Sequence, residues 1–335
     1  MDNSCHTSFR ADDRSFFSLI KKDVHKIVLE AGFSQAKVSE IDIIVAELTS
    51  NLSKHASGGE LLLHIGKKYD KKFVELICLD DGPGISDLNK VLSDGYSSTS
   101  TLGHGLGSIK RLSDEFDIYS LKDWGTIVLS RLYEEELPYR RKQYDFNIIN
   151  VPKSGEKLSG DGYYFTPLKN GFKILLADGL GHGPEAHKAV KEACIAFNLC
   201  TEEGPADTIR FLHNSIRKTR GMVATVVFYN THLQQWTVAG VGNIALKWMN
   251  WNNNKNHVSY NGIIGHNIPN TLNEAVISKE EFSQFIACSD GIRSKWDLSK
   301  FPSILRHDGA IIATAIYKEF SRKTDDTSIT FCKLF

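Results

Sequence analysis

The sequence lacks an excess of charge of either sign, a long hydrophobic run and any closely spaced pair of cysteines. It has 335 residues, with 40 lysines and arginines against 40 aspartates and glutamates, so its formal net charge is zero. A neutral chain has no overall field that would attract nucleic acid or an anionic membrane surface, and we expect neither as a partner. The expected partners are small anions or other proteins.

Membrane-spanning and exported proteins are excluded on similar grounds. The longest apolar runs, such as FKILLA, are far shorter than the about 20 residues that a transmembrane helix requires. The opening segment MDNSCHTSFR is too polar for a signal peptide. The six cysteines are scattered without a C-x-x-C pair, which is typical of reduced, buried thiols. We therefore expect a cytoplasmic protein.

The length and one charged segment predict two domains. A chain of this size usually forms domains of about 100 to 200 residues each. The segment EEELPYRRKQ has one proline and almost no apolar content, so it is typical of a linker. We predict domains at 1–133 and 144–335, joined by a linker at 134–143. Strands predominate over helices in the second, which indicates an α+β sandwich.

The segment SEIDIIVAELTSNLSKHA carries two stripes of side chains at helical spacing. The apolar stripe, which we expect to face a core, consists of Ile41, Ile44, Val45, Leu48 and Leu52. The polar stripe consists of Glu47, Asn51 and His55. A neutral amide oxygen suits Mg²⁺, and a carboxylate one turn away can accept a proton. Each of these residues alone is also typical of a solvated helix face.

Two glycine-containing sequence motifs follow this helix. LDDGPGI places Asp80 at the end of an apolar strand, where Gly82 and Gly84 allow a tight turn against a flat ligand. GHGLGS opens a helix, so the backbone N–H groups of Gly103, Gly105 and Gly107 can approach phosphate oxygens. Taken singly, the first motif is also typical of a surface turn and the second of a flexible connector.

In this order, E-x-x-x-N on a helix, D-x-G-x-G and G-x-G-x-G resemble the Bergerat ATP-binding fold of histidine kinases, gyrases and Hsp90. Within that superfamily, the longer words AELTSNLSKHA and DDGPGISDLNKVLSDGYSSTSTLGHGLGSIKRLSDEF are similar to the RsbT-like switch serine/threonine kinases of the stressosome. The resemblance implies an α/β sandwich that binds ATP with Mg²⁺. It assigns Glu47 as general base, Asn51 as the Mg²⁺ ligand and Asp80 as the adenine acceptor. The residues implied to contact ATP are Asn51, His55, Asp80, Gly82, Gly84, Ile85, Gly103, His104, Gly105, Leu106 and Gly107.

The second half places aspartates at the ends of separated apolar strands. They are Asp161, Asp178, Asp290, Asp325 and Asp326. Each alone is also typical of a turn, because SDG, GDG and DD are common turn sequences. Converging carboxylates would repel each other unless divalent cations lay between them, and two such cations can promote phosphoryl transfer to water. Together the aspartates therefore predict a metal site.

The ordered words GDGYYF, ILLADGLGHGPEA, ACSDGI and DDTSITF resemble the SpoIIE and RsbX branch of PPM-type serine/threonine phosphatases. The resemblance covers about residues 145–335 and implies an α-β-β-α sandwich that holds two Mn²⁺ or Mg²⁺ ions. It assigns Asp178 as the catalytic, bridging ligand and the Gly179 carbonyl as a further ligand. Asp161, Asp290 and Asp325 would complete the shell, with Asp326 ranked behind Asp325.

Taken together, the resemblances imply an α+β protein with two opposed activities. The first domain would phosphorylate a serine or threonine of a STAS-domain protein, and the second would remove such phosphates. Other stressosome or sigma-regulatory proteins are further expected partners. In the alternative interpretation, only the phosphatase is active and the first domain binds ATP as a docking switch. A scaffold without activity is disfavoured, because five acidic strand ends without metal would destabilise the fold.

Overall fold

A computed structural model describes residues 5–11, 13–56, 58–88, 91, 105–138, 142–250 and 253–335. Internal contacts divide the chain into two compact units. We call His6–Arg140 with Leu298–Ala315 the first unit, and Met1–Cys5 with Arg141–Asp297 and Ile316–Phe335 the second unit. The domain bounds expected from the sequence, with a linker at 134–143, stay predictions.

The first unit contains a five-stranded antiparallel sheet in the order β1-β2-β3-β5-β4. Its described elements are β1 (Thr7–Arg10), α1 (Phe17–Glu30), α2 (Gln35–His55), β2 (Gly59–Lys68), β3 (Lys71–Asp80), α3 (Gly105–Leu112), β4 (Glu115–Leu121) and β5 (Gly125–Tyr133). The side chain of Ser34 accepts a hydrogen bond from the backbone N–H of Lys37 and so caps the start of α2.

Helix α2 packs its predicted apolar stripe into the core of the first unit. Ile41, Ile44, Val45, Leu48 and Leu52 are all buried there, against side chains of α1, α3 and the sheet. Removing this stripe from water supplies the main driving force for placing α2 on the sheet. The predicted apolar stripe is confirmed, and it fixes which face of α2 the polar residues occupy.

The second unit contains two five-stranded sheets, ordered β13-β10-β9-β8-β7 and β12-β11-β14-β15-β6. Its described strands are β6 (Tyr144–Val151), β7 (Asp161–Leu168), β8 (Gly171–Gly179), β9 (Met222–Asn230), β10 (Gln235–Val241), β11 (Ala245–Met249), β12 (Asn254–Asn256), β13 (Ala275–Ser278), β14 (Gln284–Cys288) and β15 (Thr327–Leu334). Its helices are α4 (Pro184–Leu199), α5 (Pro205–Ser215) and the end of α6 (Gly309–Phe320), whose first residues belong to the first unit.

Two apolar cores hold the second unit together. The core between the sheets is rich in aromatic side chains, including Phe165, Phe172, Trp236, Trp248 and Phe285. The other lies between the β7–β10 sheet and the helices α4 and α5. The second unit is therefore layered in the order helices, sheet, sheet. The middle sheet has two apolar faces, one packed against the helices and the other against the second sheet. Among the described residues, no helix is long and apolar enough to cross a membrane.

Candidate functional site

The polar stripe of α2 lies beside the first turn of α3. A Cβ placed on Gly105 would be 3.1 Å from Oε2 of Glu47 and 3.4 Å from Oδ1 of Asn51. Both side chains are half-buried, whereas His55 is exposed at the end of α2. The first N–H groups of a helix have no partner within it and attract anions. A carboxylate, an amide and a helix start therefore meet where a phosphate chain could lie.

Asp80, at the end of β3, is held by two backbone donors. Its Oδ1 accepts hydrogen bonds from the N–H of Gly82 at 2.7 Å and of Thr126 at 3.2 Å. These bonds help to fix the direction of the carboxylate. Thr126 is the second residue of β5, and sequence reasoning did not assign it a role.

The DDGPGI turn is pinned against the β4–β5 hairpin. The N–H of Ile85 donates to Oγ of Ser120 at 2.8 Å, and the N–H of Asp123 donates to the Pro83 carbonyl at 2.9 Å. Gly84 has a φ of +76°, and a Cβ there would lie 2.1 Å from the Leu121 carbonyl oxygen. This position therefore requires glycine.

Replacing Gly84 by alanine is expected to lower the free energy of unfolding of the first unit by at least about 2 kcal/mol, because left-handed strain of about 1–3 kcal/mol adds to a backbone clash. Gly32→Ala is the matched control. Gly32 has the same φ of +76°, but a Cβ there would meet only the flexible end of Lys72, at 3.2 Å. Urea unfolding followed by far-UV circular dichroism measures both variants, and equal losses would contradict the predicted clash.

The remaining residues implied to contact ATP lie in different surroundings. Ile85 packs half-buried against the core of the first unit, and Leu106 is buried within it. Gly82 passes over the end of α2, where a Cβ would be 2.7 Å from the His55 carbonyl oxygen. Gly107 is buried in the first turn of α3. Gly103 and His104 lie outside the described residues.

The second unit brings its aspartates to one pocket. Asp161 and Asp178 face each other directly across the antiparallel pair β7–β8. With Asp290, Asp325 and Gly179 they line an open pocket of about 340 Å³. β8 is buried almost throughout its length and delivers Asp178 to this point. The positive φ of Gly181 and Gly183 then turns the chain into α4.

The pocket has the electrostatics of a cation site. Burial and the neighbouring carboxylates raise the pKa of Asp178 to about 9, and burial raises that of Asp161 to about 7. Asp161 is 2% exposed, and its Oδ2 has no hydrogen-bond partner among the residues that the structure describes. A buried carboxylate oxygen without a partner is costly, and a divalent cation would satisfy it. The residues therefore fit the predicted metal ions.

The adjacent residues Asp325 and Asp326 differ in burial and in the groups that their side chains contact. Asp326 is buried, and its two oxygens accept hydrogen bonds from the N–H groups of Lys153 and Gly160, each at 2.8 Å. Asp325 is half-buried and lines the pocket. Asp326 thus anchors the 153–160 loop beside the start of β7, while Asp325 lines the pocket. The ranking of Asp325 above Asp326 as a metal ligand stays a prediction.

Asn243 is a pocket residue that sequence reasoning missed. Its Nδ2 donates to Oδ2 of Asp290 at 3.1 Å and so orients that exposed carboxylate. The signal available in the sequence was its position just after the apolar strand β10, in the word GVGN. Polar residues at strand ends near a metal commonly hold its ligands in place.

Comparison with known proteins addresses both units. Residues 17–131 match the model of the histidine kinase-like ATPase domain. The serine/threonine-protein kinase RsbT of Bacillus subtilis (strain 168) is 36% identical over 100 residues, which are 30% of this chain and 75% of that protein. The predicted likeness to this kinase group is thereby confirmed.

Solved structures resemble the chain as well. The crystal structure of RsbX in complex with magnesium has a TM-score of 0.52 at 16% sequence identity. The aligned region covers 59% of this chain and 98% of the RsbX chain. A second solved structure has a TM-score of 0.53 at 25% sequence identity. It is described as part of the bacterial stressosome, a modular system that has been adapted to control secondary messenger signalling. The aligned region covers 57% of this chain and 100% of that chain. The predicted fold class, an ATPase-type sandwich followed by a phosphatase-type sandwich, is confirmed.

Proposed function

We propose that this chain, which belongs to the family of RsbT-like serine/threonine kinases, both adds a phosphate to a STAS-domain protein and removes it. The first unit would transfer the γ-phosphate of ATP to a serine or threonine of that protein. The second unit would hydrolyse the phosphoester. The observation that carries the proposal is the presence of two built sites of opposite character: a helix start beside Glu47 and Asn51, and a pocket of converging aspartates.

In the first unit, each residue would act on a separate part of ATP. Asp80, oriented by Gly82 and Thr126, would accept a hydrogen bond from the adenine amine. The first N–H groups of α3 would bind phosphate oxygens, and Asn51 would hold Mg²⁺ there. Glu47 would take the proton of the substrate hydroxyl as its oxygen bonds to the γ-phosphorus and the bond to the leaving ADP breaks.

In the second unit, Asp161, Asp178, Asp290, Asp325 and the Gly179 carbonyl would hold two Mn²⁺ or Mg²⁺ ions. When bound, such ions supply Lewis acidity toward a phosphoryl group. Asn243 orients Asp290, and Asp326 holds the loop that precedes Asp161. The 340 Å³ pocket is open, so a phosphorylated side chain on another protein could enter it.

The test uses the whole chain and the STAS-domain protein encoded nearest to it. With Mg²⁺ and radiolabelled ATP, we expect label on the STAS protein. After removal of ATP, addition of Mn²⁺ should release that label as inorganic phosphate. A second substrate is a STAS protein that another kinase has phosphorylated. If the chain releases phosphate from this substrate but cannot itself label the STAS protein, the docking-switch alternative is favoured. If the chain neither labels the STAS protein nor releases phosphate from it, the proposal is contradicted.

A further inference from the structure

One lateral row of the first unit's sheet carries a polar or charged side chain on every strand. The register pairs His64 with Glu75, Glu75 with Arg131, and Arg131 with Glu115. Extending the β1–β2 register by one residue beyond the pair Thr7–Leu63 places His6 opposite His64. His6, His64, Glu75 and Arg131 are only 1%, 6%, 4% and 5% exposed. Burying such a row is costly unless its members bind one another or a ligand.

Three members of this row converge on one point. Nε2 of His6 lies 3.3 Å from Oε1 of Glu75, although strand β2 separates their strands. The rings of His6 and His64 stack with their centroids 4.8 Å apart. One ligand atom from each of the three residues lies within 4.8 Å of the others. Ligand atoms around a tetrahedral zinc ion, at bonds of about 2.0–2.2 Å, lie about 3.3 Å apart. The separation of His6 and Glu75 matches this spacing, and the 4.8 Å limit for all three atoms means that a side-chain adjustment would complete the site.

The side chains suit metal binding. A buried imidazole such as that of His64 is favoured in its neutral form, which has a lone pair that can bind a metal. The Arg131 guanidinium, which donates to Glu75, favours the ionised carboxylate. Two imidazoles and one carboxylate form a ligand set that zinc accepts, with a fourth position for water.

Arg131 orients the carboxylate without leaving an uncompensated charge. Its Nε donates to Oε2 of Glu75, which leaves Oε1 on the side of His6. The same guanidinium donates to both oxygens of Asp308, at 2.8 and 2.9 Å, and to Glu115 at 2.9 Å. Three carboxylates therefore surround this one guanidinium. A cation on the far side of Glu75 consequently enters a region that is not positive overall.

We propose that His6, His64 and Glu75 bind a divalent transition-metal ion of the zinc class, which ties β1 to β2 and β3. β1 is a four-residue edge strand with mostly exposed side chains, so its own packing supports it weakly. A metal that bridges three strands would hold it against the sheet. Imidazole ligands favour zinc over Mg²⁺ or Mn²⁺, which distinguishes this site from the aspartate pocket of the second unit.

The experiment uses the full chain, stripped of metal and then supplied with excess Mg²⁺ to fill the aspartate pocket. Zinc is titrated in competition with a chromophoric chelator. We expect one zinc ion per chain to bind to the wild type, and this ion to be lost in His6→Asn and His64→Asn. Glu115→Gln is the matched control, because Glu115 lies in the same row and contacts Arg131 but is not a proposed ligand. It should retain the zinc.

Two further measurements keep the outcome clear if a variant fails to fold. Co²⁺ bound to the wild-type chain should give the intense visible absorption of a tetrahedral site with nitrogen ligands. Removal of zinc should speed tryptic cleavage after Arg10, at the end of β1, by at least about tenfold, because a bound metal stabilises the closed strand. Absence of the cobalt band, or full zinc retention by both histidine variants, would overturn the proposal.

Discussion

Asp178→Asn is expected to lower the rate of Mn²⁺-dependent phosphate release from a phosphorylated STAS protein by about a thousandfold, because metal ions supply several kcal/mol at such sites and each about 1.4 kcal/mol is tenfold. The surroundings raise the pKa of Asp178 to about 9 and that of Asp161 to about 7, so they oppose the charge of Asp178 more strongly than that of Asp161. An amide in its place has the same shape but lacks the negative charge with which a carboxylate would bind divalent cations. Single-turnover release of labelled phosphate measures the effect.

Asp207→Asn is the matched control for this substitution. Asp207 belongs to the same unit, on α5, and its side chain is exposed. The control should release phosphate at the wild-type rate and should still be stabilised by Mn²⁺ in thermal unfolding. Asp178→Asn should lose both properties. Undiminished release by Asp178→Asn would show that the two-ion model of the pocket is wrong.

The same variant has a second readout in the absence of metal. The folded-state pKa of Asp178, raised by burial and by Asp161 to about 9, exceeds the ordinary value of 3.8. The folded chain therefore keeps a proton that the unfolded chain releases, and its stability falls as pH rises from about 4 to about 9. Asp178→Asn removes this titration. Metal-free unfolding of the variant should accordingly depend less on pH across that window than unfolding of the wild type.

Glu47→Gln is expected to lower phosphate transfer from ATP by about 100- to 10,000-fold, the usual contribution of a general base. Glutamine keeps the size of the side chain beside Gly105 but cannot accept the proton of the substrate hydroxyl. ATP binding should persist, since Asp80 and the start of α3 are untouched. Radiolabel incorporation into the STAS protein and equilibrium ATP binding are measured on the same preparation.

Glu30→Gln provides the control for Glu47→Gln. Glu30 ends α1, is exposed, and has an oxygen 3.8 Å from Nζ of Lys26. It should label the STAS protein normally, and phosphate release by the second unit should be normal in both variants. If Glu47→Gln labels the partner as fast as wild type does, Glu47 is not the base. If the wild type binds ATP but never labels the partner, the first unit is a docking switch.

Much of each site could be predicted because its residues are local in sequence or stand at strand ends. Glu47 and Asn51 share a helix face through their i, i+4 spacing, and the apolar stripe beside them determines which way that face points. Asp161 is the first residue of β7, and Asp178 lies next to the last residue of β8. Their direct opposition depends on the β7–β8 register, which the short turn between the strands constrains.

Other features depend on contacts between distant segments, which no local pattern reveals. The row from His6 to Glu115 requires the registers of five strands, and β1 shows no alternation of apolar residues that would predict a strand. The hydrogen bonds of Asp326 to Lys153 and Gly160 join residues more than 160 positions apart. The role of Thr126 likewise depends on its backbone N–H, which every residue type except proline possesses.

The opposition of Asp161 and Asp178 also links the lifetime of the protein to metal supply. A ligand that binds only the folded chain lowers the fraction that is unfolded, and proteases act on that fraction. When manganese and magnesium are scarce, the folded chain loses the stabilisation that bound ions provide, so a larger fraction is unfolded and degradation should accelerate. Starvation for these ions would then reduce the number of chains as well as their phosphatase activity, and both opposed activities would decline together.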